Sequence, residues 1–201
     1  GNPSFQRKAD LAQRKSIVLL QNKMVLPLAQ PKEKDTLSIF TMGMNTALFK
    51  DRSWANFKVT SGDYNVANGE TLPTIKKETD YAIIRVQVTN DGGSDRRFGG
   101  ANPDELNFLS FSEMAKSKSW KIKPSLSDIQ TIMKTVGADK TILSIDFRQP
   151  YVLDEASGLL NAGGILATFG VSDEAVMDII MGKFKPTGKL PYALANNSAA
   201  V

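Results

Sequence analysis

Asp91, Asp95, Asp104 and Glu105 fall within fifteen residues of one another, interleaved with Arg96 and Arg97 in a stretch rich in Gly and Asn. Carboxylates beside guanidinium groups grip sugar hydroxyls through charge-assisted hydrogen bonds. A carboxyl placed in an apolar cleft keeps its proton and serves as a general acid. The same residue types also make turns and solvated surface, and spacing leaves both readings open. Two absences narrow the chemistry. The 201 residues include no His and no Cys, which excludes imidazole and thiolate metal ligands, cysteine nucleophiles and any histidine base supplied from within the chain. Acid–base work therefore falls mainly to carboxylates, with Lys or Tyr in reserve.

Other candidates are weaker. Asp146 and Arg148, ahead of Pro150 and Tyr151, suit either a fork reaching the same face or a structural ion pair fixing a loop. Trp120 suits stacking on a ring or anchoring a loop. There is no Walker loop, no G-x-S-x-G elbow and no ordered G-x-G-x-x-G after a strand. Gly163 and Gly164 stand at a strand's start, the wrong end for cradling a phosphate. No cofactor and no metal are expected. The net charge of +4 comes from dispersed Lys and Arg, so no nucleic-acid partner is expected. No apolar run is long enough to span a bilayer, so no membrane partner is expected, and Gly1-Asn2-Pro3-Ser4 does not open a signal peptide.

The elements that must position these residues read as follows. Tyr81 to Thr89 (YAIIRVQVT) is the strongest strand, with Ile84, Val86 and Val88 alternating against Arg85, Gln87 and Thr89, which predicts one partly covered face or an edge. About eighteen residues follow before the next pattern, longer than connections usually are. In open α/β sheets ligands gather outside the carboxyl ends of strands, and the carboxylate cluster stands directly after this one. Further strands are predicted at 37–41, 57–60, 141–146 and 164–169. Helices are predicted from Ser4 to about Gln21, from Ser125 to Gly137, and from Ser172 to Gly182. The loop at 61–73 carries turn residues and little assignable chemistry. Strands alternating with helices predict a mostly parallel α/β sheet. With 41% apolar and 23% charged residues, residues 1–201 are expected to form a single domain.

Three segments carry a resemblance. Arg14 to Asn22 (RKSIVLLQN) followed by Leu26-Pro27-Leu28, Ile165 to Asp173 (ILATFGVSD), and Gly182 to Tyr192 (GKFKPTGKLPY) together resemble the C-terminal α/β sandwich domain of glycoside hydrolase family 3, the family of β-glucosidases and related exo-acting enzymes. Their order and spacing agree over most of the chain. The resemblance implies a three-layer α/β/α sandwich, flavodoxin-like, with a mostly parallel sheet of about five to six strands. It also implies a retaining, carboxylate-based exo-β-glycosidase acting on a β-linked glucoside or oligosaccharide. In that family an aspartate nucleophile is carried by a separate N-terminal barrel, which needs about 200 residues of its own and is absent here. Retention uses two carboxyls about 5 Å apart across one glycosidic bond. The expectation is that this chain forms one wall of the sugar cleft against the barrel of the same polypeptide, and that on its own it turns over no substrate.

In many members the general acid is a glutamate near a "G.DR" element. Gly93-Ser94-Asp95-Arg96 resembles that element, although no Glu precedes it and the nearest is Glu105 in Gly99-Gly100-Ala101-Asn102-Pro103-Asp104-Glu105. The implied acid/base is Glu105, then Asp104. Asp95 ranks third, as acid or as a ligand to sugar hydroxyls, with Arg96 holding substrate. The resemblance implies a periplasmic or secreted full-length protein. The alternative is a stand-alone carbohydrate-binding or interaction domain on the same scaffold.

Overall fold

Alternate side chains of a strand go to opposite faces of its sheet, and from Ala82 to Val86 both faces are covered. The computed structural model describes residues 2–28, 36–51, 54–89, 121–148, 150 and 152–195. In chain order the elements are α1 (Pro3–Ser16), β1 (Val18–Asn22), β2 (Leu37–Met42), β3 (Phe57–Ser61), β4 (Tyr81–Thr89), β5 (Lys121–Lys123), α2 (Leu126–Val136), β6 (Thr141–Asp146), β7 (Gly164–Thr168) and α3 (Asp173–Ile180). The strands form one seven-stranded sheet in the order β1-β7-β6-β4-β2-β3, with β5 paired to the end of β4. Five strands run parallel, and β1 and β5 are antiparallel additions.

The layers follow from the period of two. Ala82, Ile84, Val86 and Val88 of β4, with Leu143 and Ile145 of β6, pack under Leu126, Ile129, Ile132 and Met133 of α2. Ile83, Ile142 and Leu166 face the other way and meet Ala175, Val176, Ile179 and Ile180 of α3. Fully burying each Val, Leu, Ile or Met side chain among them contributes about 1.5–3 kcal/mol. The helix α1 lies outside α3, held by Arg14 Nε on Asp178 Oδ2 at 2.6 Å and by the Ser172 N–H donating to Gln13 Oε1 at 2.6 Å. This is the expected three-layer sandwich.

Two expectations are corrected. The first helix stops at Ser16 rather than near Gln21, and its cap is Asn2, whose Oδ1 accepts the Ser4 N–H at 2.9 Å. No residue of α1 is buried, whereas Ile17 and Val18 are. The apolar run that looked like a helical stripe is an edge strand whose Val18 pairs with Ala167 of β7. β-branched residues buried by a sheet outweigh a weak helical period. The second correction concerns β4. It is neither an edge nor half-covered, because β2 and β6 flank it and Arg85 is only 7% exposed.

Candidate functional site

The connection from β2 to β3 runs toward one edge of the sheet, while β4, β6 and β7 proceed toward the other. The winding reverses between β2 and β4, and a crevice outside the carboxyl ends at such a reversal is where open α/β sheets receive ligands. The register shows how it opens here. The β2 ladder on β4 ends at Met42↔Ile84, and β5 takes up the same side of β4 only at Gln87↔Lys123. Between them lies a recess of about 470 Å³ lined by residues including Met42, Gly43, Asp63, Tyr64, Gln87, Lys123 and Asp128.

Several polar groups in its wall are held by neighbouring residues. Gly43, at φ +77, donates its N–H to Asp63 Oδ1 at 2.8 Å. Asp63 is steadied by Ser61, whose Oγ donates to Asp63 Oδ2 at 3.2 Å and accepts the Asp63 N–H at 3.1 Å. The Tyr64 hydroxyl donates to Asp128 Oδ2 at 2.7 Å. That bond holds the phenolic proton and, with lesser help from burial and the carboxylate charge, raises the Tyr64 pKa above its ordinary value. Asp128 lies in the first turn of α2, where the helix dipole favours a carboxylate.

Arg85 also borders the recess, with its guanidinium engaged elsewhere: Nη1 donates to Asp173 Oδ1 at 2.5 Å and to the Val171 carbonyl at 3.1 Å. The other oxygen of Asp173 accepts the Asn45 N–H at 2.8 Å. Arg85 Nε is buried without a hydrogen-bond partner among the described residues. Among those residues no group of three or more carboxylates is gathered to hold a metal ion.

Glu105, Asp104, Asp95 and Arg96, with Asp91, Arg97 and Trp120, lie outside the described residues. Their anchor points do not. Thr89 is paired with Lys121, so the chain carrying them begins and ends at the carboxyl end of β4, next to Gln87 and Lys123 of the recess. Asp146 ends β6 opposite Gln87. Its Oδ1 accepts the Gly170 N–H at 2.7 Å, while Arg148 Nε stands 3.8 Å from Oδ2 on a side chain that is 68% exposed. The carboxylate is thus tied to backbone first and to the arginine loosely. A Cβ on Gly163 would collide with the Asp139 carbonyl, so that glycine serves close packing.

Sequence reasoning passed over Arg85, Asp63, Tyr64, Asp128 and Asp173 as members of a site. An arginine between Ile84 and Val86 in the strongest strand was the available signal for Arg85. Asp63 and Tyr64 sit in a stretch that reads as an ordinary loop, and only strand order brings them to the others.

A family model described as glycosyl hydrolase family 3 C-terminal domain matches residues 17–201. Beta-glucosidase C of Emericella nidulans is 29% identical over 205 residues, covering 100% of this chain and 27% of its own length. The periplasmic beta-glucosidase/beta-xylosidase of Dickeya chrysanthemi is 23% identical over 201 residues, covering 100% of this chain and 25% of its own. Among solved structures, beta-glucosidase 3B from Thermotoga neapolitana in complex with glucose superposes with a TM-score of 0.58 at 18% identity, over 100% of this chain and 32% of that one. The chain spans about a quarter of the length of these curated relatives. With the match running from Ile17 to the last residue and the sandwich that accompanies it, the chain belongs to the family of glycosyl hydrolase family 3 C-terminal domains.

Proposed function

We propose that this chain is a single C-terminal domain of a retaining exo-β-glycosidase acting on β-linked glucosides, and that the carboxyl edge of its sheet forms one wall of the sugar cleft. The observation that carries this reading is the recess at the β2/β4 reversal, adjoining the Thr89↔Lys121 base of the segment that bears the carboxylate cluster. The β-glucosidase names of the relatives support the substrate class. In this reading the aspartate nucleophile belongs to an N-terminal barrel of the same polypeptide. Glu105 is the acid that protonates the leaving-group oxygen and then, as base, takes a proton from the attacking water. Asp104 is the second choice for that role, and Asp95 and Arg96 hold sugar hydroxyls. The periplasmic relative supports a periplasmic or secreted location.

The test uses the complete polypeptide and this chain side by side. The complete polypeptide hydrolyses a nitrophenyl β-glucoside, and this chain alone releases no nitrophenol above background. In the complete polypeptide, Glu105→Ala slows substrates with poor leaving groups by about 10²–10⁴-fold, the range for loss of a general acid. In kcat/KM it slows the nitrophenyl glucoside much less, because that leaving group departs without protonation, while kcat falls because the water-attack step has lost its base. Normal rates on poor leaving groups in the Glu105→Ala enzyme would remove Glu105 and move the assignment to Asp104.

A further inference from the structure

A buried ion pair is a weak device for stability, since desolvation consumes most of its Coulomb gain and apolar replacements of like volume often serve as well. Arg85 is nevertheless buried and pairs with a partly buried Asp173, their side chains 8% and 16% exposed, on a face otherwise filled by Ile83, Ile142 and Leu166. What the pair does hold is position. Asp173 opens α3, takes Arg85 of β4 on one oxygen and takes the N–H of Asn45, in the turn after β2, on the other. In the same turn the Arg85 carbonyl packs on Gly43 so closely that a Cβ there would stand 2.7 Å away. Gly43 in turn fixes Asp63 through its N–H. The contacts run unbroken from α3 through β4 to the turn after β2 and on to the end of β3, across the crevice where the winding reverses.

We propose that Arg85 is a positioning residue for ligand recognition. With Asp173 it sets the spacing between the 43–45 turn and the carboxyl end of β4, and so the shape of the recess in which Asp63 and Gln87 meet a sugar. Arg85 borders the recess, but its guanidinium is committed to Asp173 and the Val171 carbonyl, so in this proposal it acts through position rather than by contact with the sugar. The carbonyl of Val171 and the carboxylate of Asp173 both take the same guanidinium nitrogen, which fixes its direction as well as its distance. This inference rests on the carboxyl edge being a wall of the sugar cleft.

The decisive variant is Arg85→Met with Asp173→Leu in the complete polypeptide, which removes both charges and leaves neither buried alone. The expected result is a folded protein with a lowered unfolding temperature, since the Asn45 N–H and the Val171 carbonyl lose their partners, KM for a nitrophenyl β-glucoside raised by about fivefold or more, and kcat changed by less than about twofold, the signature of lost uniform binding. Arg85→Lys, which keeps the charge but not the planar fork, should return KM part of the way. A folded double variant with unchanged KM, or one that loses kcat at constant KM, would overturn the proposal. Should the double variant fail to fold, Arg85→Lys decides by itself: a raised KM in a folded protein supports the proposal and an unchanged KM sinks it. A parent polypeptide that hydrolyses no β-glucoside would overturn the cleft reading and this inference with it, a result distinguishable because no variant enters it.

Discussion

Gly43 and Arg85 touch backbone to backbone across the point where the sheet reverses its winding, with room for no Cβ at Gly43: it would lie 2.7 Å from the Arg85 carbonyl oxygen and 3.2 Å from the Arg85 Cβ. Neither group can move cheaply, because Arg85 is held in the central strand and its side chain by Asp173.

Gly43→Ala should therefore destabilise the domain by about 2 kcal/mol or more, combining left-handed backbone cost with a main-chain clash. Gly69 is the matched control. Its φ is +74 but an added Cβ meets nothing within 4 Å, so Gly69→Ala should cost only the left-handed term, about 1–2 kcal/mol. Urea unfolding of the two variants measures the difference. Equal losses would mean that the β2 turn can back away from β4.

Asp146 and Arg148 separate in the same way. Asp146→Ala leaves the Gly170 N–H without its acceptor and should cost about 1–3 kcal/mol. Arg148→Ala removes a 3.8 Å contact from an exposed side chain and should lie within about 0.5 kcal/mol of the parent. If the two losses proved alike, the ion pair rather than the backbone bond would be the working contact.

The Tyr64 hydroxyl predicts an alkaline dependence of stability. Its pKa is raised in the folded state, first by the hydrogen bond to Asp128, then by burial and by the Asp128 charge. The folded protein thus holds this proton more tightly than the unfolded chain does, so stability is fully present below the ordinary tyrosine pKa of about 10 and falls as pH rises from there through the folded value. In a tyrosinate absorbance titration, Tyr64→Phe should remove a late-titrating component and flatten the alkaline loss. Tyr192, raised by burial, should remain late in both proteins.

Ser144 is fully buried at the position paired with Arg85 in register, and its Oγ has no hydrogen-bond partner among the described residues. Ser144→Ala should leave stability unchanged or raise it by about 1 kcal/mol, because deleting an unsatisfied buried hydroxyl relieves a desolvation penalty. A loss comparable to that of Asp146→Ala, read by thermal unfolding, would show that the hydroxyl is engaged.

Some of this was legible in local chemistry. The bounds of β4 and β6, and of α2 between Ser125 and Gly137, agree with those read from the residues. In each case a strong apolar period is bracketed by a cap, a glycine or a polar break, and these signals act within one turn or one strand. The end of α1 was not legible, because Ile17 to Leu20 suit a helical stripe and a buried strand equally and only β7 lying alongside decides between them. The role of Arg85 was not legible either. Its place in the alternation is correctly read as opposite Ile84 and Val86, but whether that side faces water or a helix depends on α3, whose Asp173 lies 88 residues further along.

The amino-acid sequence by itself determined the fold class, the family resemblance and the restriction of acid–base work mainly to carboxylates, with Lys or Tyr in reserve, since alternation, caps and the lack of His and Cys are properties of neighbours and of composition. Tertiary structure alone decided the recess. Gly43, Asp63, Arg85, Asp128 and Asp173 come from five separate segments and share no spacing rule. They converge because β2 and β4 lie side by side while the chain winds away from them in opposite directions. Strand order is set by which apolar faces can be covered together, and that is a property of the whole packed sheet.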